Sequence, residues 1–235
     1  MTESFPHVDP ASVLPRSQEV QAAEAEMFRA RAKAFEAEAR KTDIEARGIE
    51  VDARLSERAI AEGFAGNRYH HVYRFDSGVD SKTVAVCMMQ LDIWDRLDPG
   101  CDTTIIFSSF GGDVVSGMAM FDYLLEYRAR GHVLTTHVQG MAASMAGILL
   151  QTGDVRQMGR EAYILVHQVQ ANVVGAFGEI EDRVIWLKMV QSRILDIFAK
   201  RTKLSKTELE KRWVRKDWWL DSDEAKKLGF VDKVV

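Results

Sequence analysis

Ser144 stands among very small residues, in Met141-Ala142-Ala143-Ser144-Met145-Ala146-Gly147, past one apolar run and at the head of another. A serine at the first turn of a helix lies beside unpaired backbone N–H groups and the positive end of the helix dipole. Negative charge developing there is stabilised, and the N–H of Met145 would donate to an oxyanion formed at Ser144. Gly111, in Ser108-Ser109-Phe110-Gly111-Gly112-Asp113, follows an earlier apolar strand and could supply a second N–H. A glycine suits that task because no Cβ blocks the approach of substrate to its backbone. One such donor is worth about 3–4 kcal/mol in an acyl-transfer transition state. His167 ends the apolar run 162–166, at a strand end where ligands of α/β sheets bind. It could act as general base toward Ser144 and then as general acid toward the leaving group.

An isolated serine is more often a helix cap, and an isolated histidine more often a structural one. The two glycines and the histidine together make acyl transfer the stronger reading. The remaining histidines are poorer bases: His7 is in the tail, His70 and His71 precede the first strand, His132 is in a turn, and His137 is inside a strand. A carboxylate should orient the imidazole. Asp113, Asp154, Asp182, Asp196, Asp217, Asp221 and Asp223 are all available, and periodicity does not choose among them.

The elements that must hold these groups alternate from residue 69 onward. Strands are expected at 72–75, 103–108, 133–138, 163–167 and 230–235. Helices are expected at 83–97, 115–130, 143–152 and 180–200, with two more short helices near the end. Such alternation implies α/β layers with mostly parallel pairing. Upstream, about 17–62 is rich in Ala, Glu and Arg and reads as a long exposed helix, broken near Gly48. Glu36 with Arg40, Asp43 with Arg47 and Glu50 with Arg54 have the favourable i,i+4 orientation. Val20, Met27, Phe28 and Phe35 make only a thin apolar stripe. The chain thus divides into a charged helical extension, 1–66, and an α/β domain, 67–235.

The 235 residues are 46% hydrophobic and 28% charged, enough for one good core plus an appendage. A net charge of −4 gives no basic field for nucleic acid. No apolar run reaches the roughly 18 residues of a membrane span, and 1–15 does not read as a secretory signal. Two cysteines, Cys87 and Cys101, read as free thiols in a reducing cytoplasm. No Cys/His spacing suggests zinc, and no glycine loop suggests a nucleotide. No metal or cofactor is expected.

The blocks Gly111-Gly112, Gly140-Met141-Ala142-Ala143-Ser144-Met145 and His167-Gln168, with 23 residues from serine to histidine, resemble the ClpP family of serine peptidases, the proteolytic subunit of Clp protease. The resemblance runs from Tyr69 to the end and includes the closing segment that begins Leu220-Asp221-Ser222-Asp223. It implies a ClpP/crotonase fold of repeated ββα units, here with a long N-terminal helical extension. It implies Ser144 as nucleophile, His167 as base and Asp217, three residues before Leu220, as the orienting carboxylate. Gly111 and Met145 would form the oxyanion hole. Gly112, Gly175 and Gly178 would belong to the surface that pairs with an extended substrate peptide, and the 180–200 helix would be the handle between rings. A polypeptide substrate and a homo-oligomer, a seven-membered ring or stacked rings, follow from the same resemblance.

Three departures stand out. Val169 replaces the usual proline after His-Gln, Ser108-Ser109-Phe110 replaces Asn-Ser-Pro, and the charged arm replaces the segment that forms the axial pore loops. The arm is similar in this respect to ClpP-like head-maturation proteases of tailed phages. A Clp-type ATPase or a capsid or scaffold protein are the partners such an arm suggests, in the host cytoplasm if the chain is phage-encoded. Two alternatives share the fold: a crotonase-like acyl-CoA enzyme, which needs no serine nucleophile, and a non-catalytic ring subunit. The presence of both Ser144 and His167 argues against each.

Overall fold

The computed structural model describes residues 18–235. Residues 1–17, with His7 and the stretch examined for a leader, lie outside the described residues. The chain forms two compact units, one ending at Gly63 and the other running from Phe64 to Val235. Helix α1 (Gln18–Ala65) is continuous over 48 residues, so Gly48 does not break it. Its strong helix formers carry it through that one weak position. It buries no residue. Arg47–Asp43, Arg54–Glu50 and Arg58–Glu62 bridge along its surface at 3.0, 2.6 and 2.8 Å. Such exposed pairs contribute a few tenths of a kcal/mol each. The expected Glu36–Arg40 pair does not form among the described residues.

The second unit runs β1 (Val72–Phe75), α2 (Ser81–Leu97), β2 (Thr103–Ser109), α3 (Val114–Ala129), β3 (Leu134–Ala143) and α4 (Met145–Leu149). It continues through β4 (Val155–Met158), β5 (Tyr163–Val166), α5 (Phe177–Arg201), α6 (Lys206–Trp213), β6 (Trp218–Leu220), α7 (Ser222–Leu228) and β7 (Lys233–Val234). The strands form one sheet in the order β1-β2-β3-β4-β7, with β5 beside β3 and β6 beside β5. Every pairing is parallel except β5–β6. The α/β alternation expected from sequence is therefore present.

The long strand β3 organises the site. Its first half, Thr135 to Val138, pairs with β4, and its second half, Met141 to Ala143, pairs with β5. Gly140, at φ +75°, lies between the two halves. On the other side β2 follows β3 through a register shift between Phe107 and Ser109. The carboxyl ends of β2, β3 and β5 thus lie side by side, the position where parallel sheets place their ligands.

The core beneath is apolar: Phe75, Phe107, Leu91, Met120, Leu124, Leu134 and Phe230 are fully buried. Helix α2 starts with a capping box in which the Asp80 side chain accepts from the N–H of Thr83. One charged group crosses this core. Arg156, in β4, donates to Gln151 Oε1, to the carbonyls of Arg201 and Gly229, and to Asp232. These bonds join β4, the end of α5 and the C-terminal segment, and they satisfy a guanidinium that is only 7% exposed. A buried charge so paired is costly to orphan.

Candidate active site

Ser144 occupies the tight turn from β3 into α4, with φ 53° and ψ −121°. A side chain rarely adopts that backbone, which costs of order 1–3 kcal/mol. The turn is held from outside: Ser144 N–H donates to Leu165 O of β5 at 2.9 Å, and Ser144 O accepts from Gly147 N–H at 3.0 Å. The Ser144 hydroxyl makes no capping bond. A strained serine on a strand–turn–helix corner, with its hydroxyl free, is the arrangement that exposes a nucleophile at the end of a sheet.

Ser144 and His167 line one cavity of about 300 Å³, with Phe110, Gly112, Met145 and Val169 among its walls. His167 Nδ1 lies 2.6 Å from the Gln168 carbonyl. A carbonyl can only accept, so Nδ1 carries the proton and the neutral ring keeps its lone pair on Nε2. Nε2 is the nitrogen a general base needs. His167 also lines a neighbouring cavity of about 430 Å³, together with Gln168, Trp213, Arg215 and Asp217. The Gln168 side chain accepts from Arg215 N–H at 2.9 Å, which ties the Asp217 loop to the histidine strand. Among the described residues no hydrogen bond joins Ser144 to His167 or His167 to Asp217.

The structure narrows the choice of carboxylate. Asp113 caps α3 by accepting from Ser116, and hydrogen bonds from that residue hold its carboxyl below the usual range. Asp154 pairs with Arg128, Asp196 with Lys206, and Asp221 caps α7. Asp217 is exposed and lines a cavity with His167. His132 is committed to Asp95 at 2.7 Å. His137 is half-buried, and desolvation, then the charge of Arg74, holds its imidazole below the ordinary value.

The glycines divide differently from the sequence expectation. Gly111, at φ +85°, packs on the serine turn: a Cβ there would lie 2.5 Å from Ala143 O and 2.8 Å from both Met145 N and Ser144 Cβ. Its own N–H donates to Ser109 Oγ at 3.2 Å, and Ser109 Oγ donates to Ser77 O at 2.6 Å. That N–H is therefore engaged within its own block, whereas Gly112 lines the Ser144 cavity. Gly175 and Gly178 do not line it; Gly178 lies in the first turn of α5. No strand forms over 167–176. Val169 and Gln170 line the cavity instead. Sequence reasoning missed Ser109 as the partner that orients Gly111, although it stood inside the glycine block.

This packing makes a sharp prediction. Gly111→Ala is expected to lower peptide kcat/KM by at least about 100-fold, since displacement of reacting groups by about 1 Å costs that much. Circular dichroism would confirm that the variant folds. A wild-type rate in a folded Gly111→Ala protein would show that the serine turn tolerates the intrusion.

Comparison with known proteins identifies the family. The Clp protease family model matches residues 70–235. The ATP-dependent Clp protease proteolytic subunit of Bacteroides thetaiotaomicron is 30% identical over 161 residues, covering 67% of this chain and 70% of that protein. The subunit of the same name from Bacteroides fragilis is also 30% identical over 161 residues, covering 67% of this chain and 75% of that protein. The region matched contains the corner at Ser144, the histidine strand and the closing segment, and on this ground the chain belongs to the Clp protease family of serine peptidases.

Proposed function

We propose that this peptidase forms an acyl-enzyme on Ser144. His167 Nε2 removes the hydroxyl proton as Oγ attacks the scissile carbonyl, and the imidazolium then protonates the leaving amine. Water, activated by the same histidine, releases the acid product. The N–H groups of Met145 and Gly112 face the oxyanion, with Gly111 as the spacer that lets the two strand ends meet. Asp217 supports the imidazolium. The observation that carries the reading is the strained Ser144 corner, its hydroxyl uncommitted, in one cavity with a histidine whose tautomer leaves Nε2 free.

Substrate peptide would lie extended along 167–176 and complete a strand there by β-addition. Assembly into a ring is part of the same proposal. Helix α5 buries Ile194, Leu195 and Phe198 near its end, while Phe177, Ile185, Trp186 and Met189 remain exposed. An apolar face of that kind calls for a partner, and a second copy of the chain supplies one. Residues 67–235 would form the peptidase and 1–66 an accessory arm.

A fluorophosphonate tests the nucleophile. One covalent adduct per chain is expected on the wild type by intact mass, and none on Ser144→Ala. Equal labelling of both would remove Ser144 from the mechanism.

A further inference from the structure

We propose that His71, Asp98 and Cys101 form a site for one divalent transition-metal ion of the zinc class. The site lies at the opposite end of the sheet from the peptidase chemistry. His71 immediately precedes β1, Asp98 caps the end of α2, and Cys101 stands just before β2. These are the amino ends of parallel strands, whereas Ser144 and His167 follow the carboxyl ends of theirs.

The imidazole nitrogen, carboxylate oxygen and Sγ of these residues all lie within 4.8 Å of one another. His71 Nε2 is 3.8 Å from Asp98 Oδ2. Tetrahedral zinc with ordinary bond lengths holds such donors about 3.4–3.6 Å apart, so binding would draw the three side chains together by up to about 1 Å. The donor types point the same way. A thiolate with an imidazole and a single carboxylate suits zinc and its neighbours and disfavours magnesium or calcium.

Two ligands are pre-positioned by a tight turn. Cys101 N–H donates to Asp98 O at 3.1 Å across Pro99 and Gly100, and Gly100 is at φ +79°. Proline second and a positive-φ glycine third define a type II turn, which fixes Asp98 and Cys101 relative to each other. The third ligand is also held in an uncommon state. His71 has φ 52°, and its ring packs edge-on against Trp94 with centroids 5.4 Å apart.

The second independent observation is the surroundings of the sulfur. Cys101 Sγ is approached by His132 Nδ1 at 3.5 Å, Thr103 Oγ1 at 3.6 Å and Tyr127 OH at 3.7 Å. His132 is braced by Asp95 at 2.7 Å and stacks on Tyr127 at 3.8 Å. Three polar groups surround one buried sulfur and are tied to each other and to the backbone, Thr103 Oγ1 to Tyr127 OH at 2.8 Å and His132 Nδ1 to Cys101 O at 3.1 Å, a hydrogen-bonded shell of the kind that surrounds a metal-bound thiolate. Cys87, the other cysteine, is fully buried in the hydrophobic core cluster and shows no such shell. A cavity lined by Arg68, Tyr69, His71, Trp94 and Asp98 opens on the histidine and carboxylate side of the cluster, where water would complete the coordination. Bound there, the ion would clamp the residues that enter β1 to the α2–β2 turn. The sequence hid the set because His71 lies far from the Asp98–Cys101 turn and only the parallel pairing of β1 with β2 brings them together.

Cobalt(II) added to the untagged, chelator-treated full-length protein is the test. One equivalent should give an intense near-ultraviolet thiolate-to-cobalt band and the visible bands of a tetrahedral ion, both abolished by one equivalent of zinc. Cys101→Ser should remove the near-ultraviolet band, and Cys87→Ser should leave it unchanged. His71→Ala and Asp98→Asn should each weaken cobalt binding by at least about tenfold while peptide hydrolysis stays at the wild-type rate. These two variants decide the matter even if Cys101→Ser does not fold. The proposal is overturned by absence of the band in the wild type, by its survival in Cys101→Ser, or by unchanged affinity in His71→Ala and Asp98→Asn. None of these outcomes depends on Ser144.

Discussion

Ser144→Ala is expected to lower kcat for peptide hydrolysis by about 10⁶, the scale of loss when the nucleophile of such a unit is removed. A residue of catalysis would persist, because in the proposed mechanism the N–H groups of Met145 and Gly112 would still serve the substrate carbonyl. Folding should be unaffected: alanine keeps the Cβ, the Leu165–Ser144 backbone bond involves no side chain, and the hydroxyl makes no capping bond that would be lost. The backbone at φ 53° adds a second arm to the experiment. Ser144→Gly should be equally inactive, yet at least as stable as wild type. Relief of strain of about 1–3 kcal/mol outweighs the roughly 0.4–1 kcal/mol of added chain entropy in the unfolded state. Chemical denaturation of the three proteins reads this directly. If Ser144→Gly were clearly less stable than Ser144→Ala, the corner would not be strained, and the observation that carries the mechanism would fall.

The blocks around Ser144 and His167 were legible because each sits at the end of an apolar strand, where small or polar residues contrast with what precedes them. The details that eluded sequence reasoning are those decided by distant partners. Strand β3 runs past the expected end at residue 138, through Gly140 and on to Ala143. A glycine normally reads as a stop, but here it bends one strand from β4 to β5, and that bend delivers Ser144. Strand β4 was not anticipated because Arg156 occupies a buried position in it. Only the acceptors from Gln151, Arg201, Gly229 and Asp232, far apart in sequence, make an arginine acceptable there. Helix α5 starts at Phe177, earlier than expected, and the Glu179 carboxylate accepts from Ala176 N–H at 2.9 Å at that start. The proposal gives the oxyanion N–H to Gly112 rather than to Gly111 for a similar reason. Both glycines look alike in sequence, and only the Ser109 hydroxyl, anchored on Ser77, distinguishes them.

Asp217→Asn is expected to reduce kcat by about 10⁴ with little change in KM, the effect of leaving an imidazolium without its carboxylate and allowing the wrong tautomer. The geometry makes the test discriminating. In this structure His167 Nδ1 donates to the Gln168 carbonyl, which already selects the productive tautomer without Asp217. If that carbonyl were the working partner, Asp217→Asn would retain nearly full activity. If the ring turns to the carboxylate during catalysis, the charge on Asp217 is essential, because a carbonyl dipole stabilises the imidazolium less than an anion does. The hydrogen bond from Arg215 N–H to Gln168 Oε1 ties the segment that carries Asp217 to the residue after His167. Asp221→Asn is the control: asparagine caps helices as well as aspartate, so α7 and the rate should both survive. A steep loss in Asp221→Asn with none in Asp217→Asn would transfer the role to the wrong side of Leu220 and break the assignment. Peptide kinetics on the two folded variants separate these outcomes, and a reduced rate of fluorophosphonate labelling in Asp217→Asn alone would locate the defect in activation of Ser144 rather than in substrate binding.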